Sequence, residues 1–283
     1  MFSLKLENES GNIVDINDNV NYVVLSASGL TPPSASIFVT KSPNRKGGRY
    51  NGSALNERSI VLQIKILGDV EVNRNALYDW TYTEQYVKVH YKNGLRNVYC
   101  EGHIEDHDND LFTDNEVVSL SILCENPYWK DLQEITQDIT NILSQFVFPF
   151  SISNAGVPFS TIKEANTALI FNDGAETGVR IMVKMKGAVK NVTIYDASDS
   201  TRRLTINRSF GESDYVVIDT TASPKTVKAY KIDGTVENLM RYLAPNPVWL
   251  TLRKGNNTFA FTADQGRENI EASVSFTNNY LGV

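Results

Sequence analysis

Cysteine is nearly absent. Cys100 and Cys124 are the only two in 283 residues, which excludes a disulfide-stapled scaffold. Both read as small buried residues on strands of one sheet. Basic residues are in deficit, with 27 Lys and Arg against 33 Asp and Glu and a formal net charge of -6. A nucleic-acid grip needs clustered cations to displace counterions, so the charge balance argues against that function and against docking on an anionic membrane. An acidic wall would instead repel DNA that merely passes it. No apolar run approaches the ~18 residues of a membrane helix. The opening Met1-Phe2-Ser3-Leu4-Lys5-Leu6-Glu7 has neither the basic nor the apolar region of a secretory signal. The Asn-x-Ser/Thr triplets at Asn51, Asn191, Asn207 and Asn256 are therefore chance matches. The chain is expected to be made in a cytoplasm, without membrane insertion.

Chemical motifs are missing too. There is no phosphate-binding Gly-x-x-x-x-Gly-Lys-Ser/Thr, no Gly-x-Gly-x-x-Gly and no Gly-x-Ser-x-Gly elbow. The three histidines are His90, His103 and His107. The last two sit four apart, a metal-clamping spacing only on a helix, whereas this stretch reads as a strand entering a turn. Asp106-x-Asp108-x-Asp110 imitates a calcium loop, but Leu111 replaces the required Gly and Val117 the closing Glu. Paired carboxylates cannot be picked out of 33 acidic residues. Tyr78-Trp80-Tyr82 and Tyr128-Trp129 offer rings for sugar stacking, although core or interface packing is the commoner use. The sequence thus points to no catalytic residue, no metal and no cofactor, and to a structural or binding protein.

What the chain has is period two, the mark of strands. Ile60, Leu62, Ile64 and Ile66 alternate with Val61, Gln63 and Lys65. Tyr22 to Ser26, Ile37 to Thr40, Tyr86 to Tyr91, Leu95 to Cys100, His103 to Asp106 and Val117 to Cys124 also read as strands. Asp69 can cap one short helix carrying Val72, Ala76, Leu77 and Trp80. Lys92-Asn93-Gly94 predicts a hairpin turn, since Asn-Gly accepts positive φ cheaply. Between the strands, Lys41 to Arg58 is rich in Gly, Asn, Ser and basic residues. A loop of that length in a compact domain is usually functional or disordered; it could bind an anion, and an assembly contact is the favoured use. Lys130 to Pro149 reads as a linker, with Phe146 to Phe150 packing across the junction. From Ala168 on, strand-like runs spaced 8–12 residues apart and separated by turn signals predict a sandwich or jelly roll. They include Val179 to Met185, Tyr215 to Asp219, Val248 to Leu252, Thr258 to Phe261 and Ile270 to Phe276.

In order and spacing these parts resemble the distal tail proteins of siphophages, the siphovirus-type tail component family. In the first half the resemblance rests on Arg58-Ser59-Ile60-Val61-Leu62-Gln63-Ile64-Lys65-Ile66, then Gly68-Asp69-Val70-Glu71 and the helix with Leu77 and Trp80. It continues through Tyr91 to Tyr99 and Glu101 to Glu105, and ends on the exit Asn126-Pro127-Tyr128-Trp129. In the second half it rests on Trp249-Leu250-Thr251-Leu252, Lys254-Gly255-Asn256-Asn257-Thr258-Phe259, Ala272 to Phe276 and Tyr280-Leu281-Gly282-Val283. Lys254 departs from the Pro often found before that Gly. The resemblance implies a mainly β chain with a ring-forming N-terminal domain carrying one short helix (1–130), a linker (131–150) and a galectin-like β-sandwich (151–283). It implies a hub at the virion tail tip, a homo-hexameric ring between the tail tube protein and the baseplate or receptor-binding proteins, with a tail-associated hub or lysin protein as a further partner and DNA only as passing cargo. The ring or tube interface is expected in the Lys41–Arg58 segment, at Arg45, Arg49, Tyr50, Asn51 and Arg58. The alternative reading is a carbohydrate-binding adhesion module using the sandwich, where Trp249 or Tyr230 would stack on sugar.

Overall fold

The computed structural model describes residues 2–41, 46–111, 113, 115–139, 142–144, 160–162 and 167–283. The chain is mainly β and divides into two compact units, residues 1–132 with 279–283, and residues 133–278.

The first unit carries β1 (Ser3–Asn8), β2 (Ile13–Asp15), β3 (Tyr22–Ser28), β4 (Ala35–Lys41), β5 (Gly48–Leu55), β6 (Arg58–Ile66), α1 (Val70–Trp80), β7 (Tyr86–Lys92), β8 (Asn97–Asn109), β9 (Val117–Cys124) and β10 (Trp129–Asp131). Its main sheet runs β2-β1-β7-β8-β9-β6-β3, antiparallel at every pairing. The alternation seen in sequence becomes one buried face. Ile60, Leu62, Ile64 and Ile66 of β6 lie beside Val118, Leu120, Ile122 and Cys124 of β9, all buried in one core with Leu4, Leu6, Val87, Val89 and Trp129. Burying each such aliphatic side chain contributes roughly 1.5–3 kcal/mol. Asp69 caps α1 by accepting from the Val72 N–H. The helix buries only Leu77, and is tied down by Arg74, both of whose contacts to the Glu116 carboxylate are 2.7 Å.

Three local expectations change. Asn93 and Gly94 do not form a positive-φ turn, since neither is in the left-handed region. The Asn93 side chain instead accepts from Leu95 N and Arg96 N, closing a four-residue loop between Lys92 and Asn97. β8 runs unbroken through Gly102. A Cβ there would sit 2.5 Å from the Leu123 carbonyl oxygen, so this glycine permits close strand approach and does not end the strand. Strand also replaces the expected turn at His107, with a bulge between Ile104 and Asp106. Cys100 and Cys124 are buried free thiols. Their mutual hydrogen bond, aided by burial, pushes the Cys124 thiol far up.

Gly29, at the end of β3, supplies a sharp test. Its φ is +79°, and an added Cβ would lie 2.0 Å from the Ser59 carbonyl oxygen. Alanine there meets both a strained backbone and a backbone wall. Gly29→Ala should destabilise the first unit by roughly 3 kcal/mol and lower its thermal midpoint by about 10 °C in calorimetry. A midpoint within about 2 °C of wild type would show the loop moves aside freely.

The second unit begins inside the expected linker, with β11 (Ile135–Ile139), then β12 (Ile142–Ser144), β13 (Ser160–Ile162), β14 (Thr167–Asn172), β15 (Thr177–Gly178), β16 (Arg180–Met185), β17 (Val189–Asp196), β18 (Asp199–Phe210), β19 (Tyr215–Asp219), β20 (Thr226–Tyr230), β21 (Val236–Asn238), β22 (Thr251–Leu252), β23 (Gly255–Gln265) and β24 (Ile270–Phe276). β25 (Asn279–Tyr280) then returns to the first unit, pairing with β10. A six-stranded sheet, β11-β24-β16-β19-β20-β21, and a four-stranded sheet, β14-β23-β17-β18, share one core. Ile181, Val183, Val216, Ile218 and Val274 come from the first, and Ile170, Ile194, Leu204, Phe259 and Phe261 from the second. That is a β-sandwich, consistent with the galectin-like expectation. The strand expected from Val248 shrinks to Thr251–Leu252. Pro245 and Pro247 offer no N–H to a ladder just before it. Phe146 to Phe150 lie outside the described residues.

Candidate functional site

The surface that stands out is a hairpin. β4 and β5 pair only with each other, from Ala35↔Leu55 at the base to Lys41↔Gly48 at the tip, with a bulge between Phe38 and Val39. Every residue of β4 is exposed, as is every residue of β5 except Gly52. Ile37 is 58% exposed, Phe38 54% and Tyr50 62%. Successive strand side chains point to opposite faces, so both faces of this arm are apolar and bare. An isolated two-stranded hairpin is marginal in water. This one is held by its ladder and a few polar contacts. Tyr50 Oη and Ser53 Oγ are 2.9 Å apart, Asn51 Nδ2 donates to Thr40 Oγ1, and the base is closed by Asn56 N donating to the Ser34 carbonyl at 3.0 Å. Contiguous exposed apolar surface of this kind marks an interaction site.

The residues singled out by sequence divide. Arg49, Tyr50 and Asn51 sit on β5 of the arm. Arg45 lies outside the described residues. Arg58 is a correction: it is 2% exposed and cannot reach a neighbour. Its guanidinium donates to the carbonyls of Gly29, Thr31, Pro127 and Leu281 and lies 5.5 Å from the centre of the Trp129 ring. Burial lowers its pKa, and the neighbouring thiols Cys100 and Cys124 act in the opposite direction. Ile37, Phe38 and Val39, read from sequence as an ordinary sheet strand, belong to the arm. Only the Gly- and Lys-rich stretch beside them signals that.

The other candidate groups are dispersed. His90 Nε2 is 2.7 Å from Glu7, which also holds Lys88 at 3.0 Å. Desolvation works to raise the Glu7 pKa, but the Lys88 and His90 contacts outweigh it and hold the carboxyl below its usual range. His103 is 3.8 Å from Glu125, and His107 meets the Thr81 carbonyl. Among the described residues no group of three or more His, Cys, Asp or Glu converges as a metal site needs. Trp249 packs against the sandwich core, with Lys225 Nζ 5.8 Å over its ring. Tyr230 stacks flat on Tyr215, centroids 4.8 Å apart. No helix is long and apolar enough to cross a membrane, among the described residues.

Residues 174–280 match the family model of the siphovirus-type tail component, C-terminal domain. Among solved structures, the Dit protein of phage SPP1, described as a paradigm of the hub adsorption apparatus in phages infecting Gram-positive hosts, superposes with a TM-score of 0.69 at 14% identity, covering 99% of both chains. A chain of the phage P2 baseplate in its activated, calcium-containing conformation gives 0.50 at 11% identity, covering 100% of both chains. At such identities the likeness is one of fold. No curated protein sequence matches.

Proposed function

We propose that this chain, a siphovirus-type tail component, is the structural hub of a phage tail tip and has no catalytic role. Copies close into a ring, six-fold by the family resemblance. The ring joins the tail tube to the baseplate and receptor-binding proteins, with a tail-associated lysin alongside, and DNA passes through the lumen. The single observation that carries this reading is the arm: a hairpin with no core beneath it and apolar side chains on both faces has its stabilising surface on another molecule. Two further features support it. The main sheet of the first unit ends in open edges at β2 and β3, which a closed ring would satisfy or shield. The net charge of -6 keeps a DNA conduit from adhering to its cargo.

Negative-stain imaging with light scattering tests this. The purified chain should show rings with a central hole and a mass six times the 31.6 kDa of one chain. A strictly monomeric chain at high concentration would overturn the proposal.

A further inference from the structure

Both legs of the arm pass one clamp, and part of that clamp comes from the last residues of the sequence. The entering leg is Gly29 to Ser34, and three consecutive carbonyls of it are held. Those of Gly29 and Thr31 accept from the Arg58 guanidinium, and that of Leu30 accepts from Val283 N at 3.2 Å. Pro32 comes next. Gly282 lies so close to it that an added Cβ would sit 2.8 Å from Pro32 Cδ and 3.1 Å from its nitrogen. The leaving leg is Asn56 to Arg58. Asn56 N donates to the Ser34 carbonyl at 3.0 Å, its Nδ2 donates to Ser34 Oγ at 2.9 Å, and its Oδ1 accepts from Ser36 Oγ at 2.8 Å. Arg58 then donates to the Leu281 carbonyl at 2.5 Å.

Leu281, Gly282 and Val283 therefore each meet the root of the arm, and they are anchored in turn. Tyr280, just before them, pairs with Trp129 in the β25–β10 ladder and donates to Asp131 Oδ2 at 3.1 Å. The Arg96 guanidinium lies 3.6 Å from the centre of its ring. Val283 packs on the core of the first unit, as does Leu30.

A fixed root gives a fixed direction. Proline locks its own φ and restricts the residue before it, so Thr31-Pro32-Pro33 carries little freedom from the clamp to Ser34. β4 and β5 pair only with each other, so their ladder fixes the arm's shape while the root fixes its aim. We propose that residues 281–283 form a clamp that aims the arm before it meets a partner. What the aimed arm then does rests on the hub reading above. An arm left to swivel is competent for only a fraction of the time, and apparent affinity falls by that fraction. Assembly thus depends on a segment that begins 223 residues beyond Arg58.

Two variants loosen the clamp without altering the arm. Deleting residues 281–283 removes the Leu281 carbonyl and the Val283 N–H, and Gly282→Val drives a side chain into Pro32. Both leave β25 in place. Spin labels at Ser53→Cys on the arm and at Leu95→Cys, 95% exposed between β7 and β8, read the aim as a distance distribution. The native thiols are buried and escape labelling. The measurement is made in a Phe38→Asp background, which keeps the arm undocked, with excess unlabelled chain so that only pairs within one molecule count. With the clamp intact the distribution should be single and narrow, and in each folded variant broad. In the otherwise wild-type chain, the same variants should need about ten-fold more protein to form rings, the loss expected when about a tenth of the arms point correctly. A distribution that stays narrow in a folded variant, or is already broad with the clamp intact, overturns the clamp and leaves the hub reading standing. A change from narrow to broad in a chain that never assembles upholds the clamp and overturns the hub.

Discussion

Deleting the arm is expected to convert the ring to monomers while leaving each subunit folded. The base of the hairpin makes the deletion clean, because Asn56 N already donates to the Ser34 carbonyl at 3.0 Å. A short Gly-Ser turn can replace residues 35–55 there without stretching the backbone. None of the arm's residues belongs to either hydrophobic core, so its loss removes no buried side chain from the subunit. Ile37, Phe38, Val39, Tyr50 and Leu55 are each at least 40% exposed. Covering their exposed halves against neighbours contributes roughly 6 kcal/mol gross per contact, at about 1.5–3 kcal/mol for each fully exposed side chain. Part of this is offset by the entropy of association. Even a surplus of ~4 kcal/mol corresponds to about a thousand-fold in assembly. Light scattering at micromolar protein should therefore report only monomers, with the thermal midpoint within about 2 °C of wild type. An arm-less chain that still forms rings would mean the subunits join through their sheet edges alone.

The arm also shows where sequence reading reaches its limit. The sandwich was legible because its strands bury one face: Ile181 and Val183, or Leu204 and Ile206, are buried and alternate with half-buried or exposed neighbours as a half-buried strand must. The same signal misleads on a hairpin with no buried face. Ile37 to Thr40 looks like one more core strand, and Gly48 to Leu55 like a loop. β11 escaped for a related reason, since it buries only Ile139 of its five residues and its Gln and Asp read as linker. The open recess lined by Tyr78, Tyr82, His107 and Asn109 was invisible. Its lining combines the end of a helix with the end of a strand about 30 residues on, as the Asn109–Tyr78 contact shows, and no periodicity links them. What the sequence did carry was the order of parts, including the Pro127-Tyr128-Trp129 exit, whose Trp129 is fully buried.

Arg58 is the residue whose replacement should cost most. Arginine is almost never fully buried without a partner, and among the described residues no carboxylate pairs with this one. Four backbone carbonyls do that work: those of Gly29 and Thr31 after β3, of Pro127 before β10, and of Leu281 after β25. The guanidinium therefore staples three segments from distant parts of the chain to the first residue of β6. It also offers its face to Trp129 at 5.5 Å, a contact of the kind worth up to ~2 kcal/mol when desolvated. Arg58→Ala leaves four carbonyls facing a cavity, each an unsatisfied acceptor worth about 1–3 kcal/mol, although water entering the gap returns part of the loss. The net destabilisation is expected to be on the order of 5 kcal/mol, comparable with the whole stability of many domains. Arg58→Lys isolates geometry from charge. An ammonium has three donors at one point and cannot span four carbonyls, so it should recover less than half of the loss. Denaturant titration of the two variants, followed by tryptophan fluorescence, to which Trp80, Trp129 and Trp249 contribute, measures both effects. If Arg58→Ala unfolds within about 1 kcal/mol of wild type, the three segments are held by their packing, and the guanidinium is a passenger in the core.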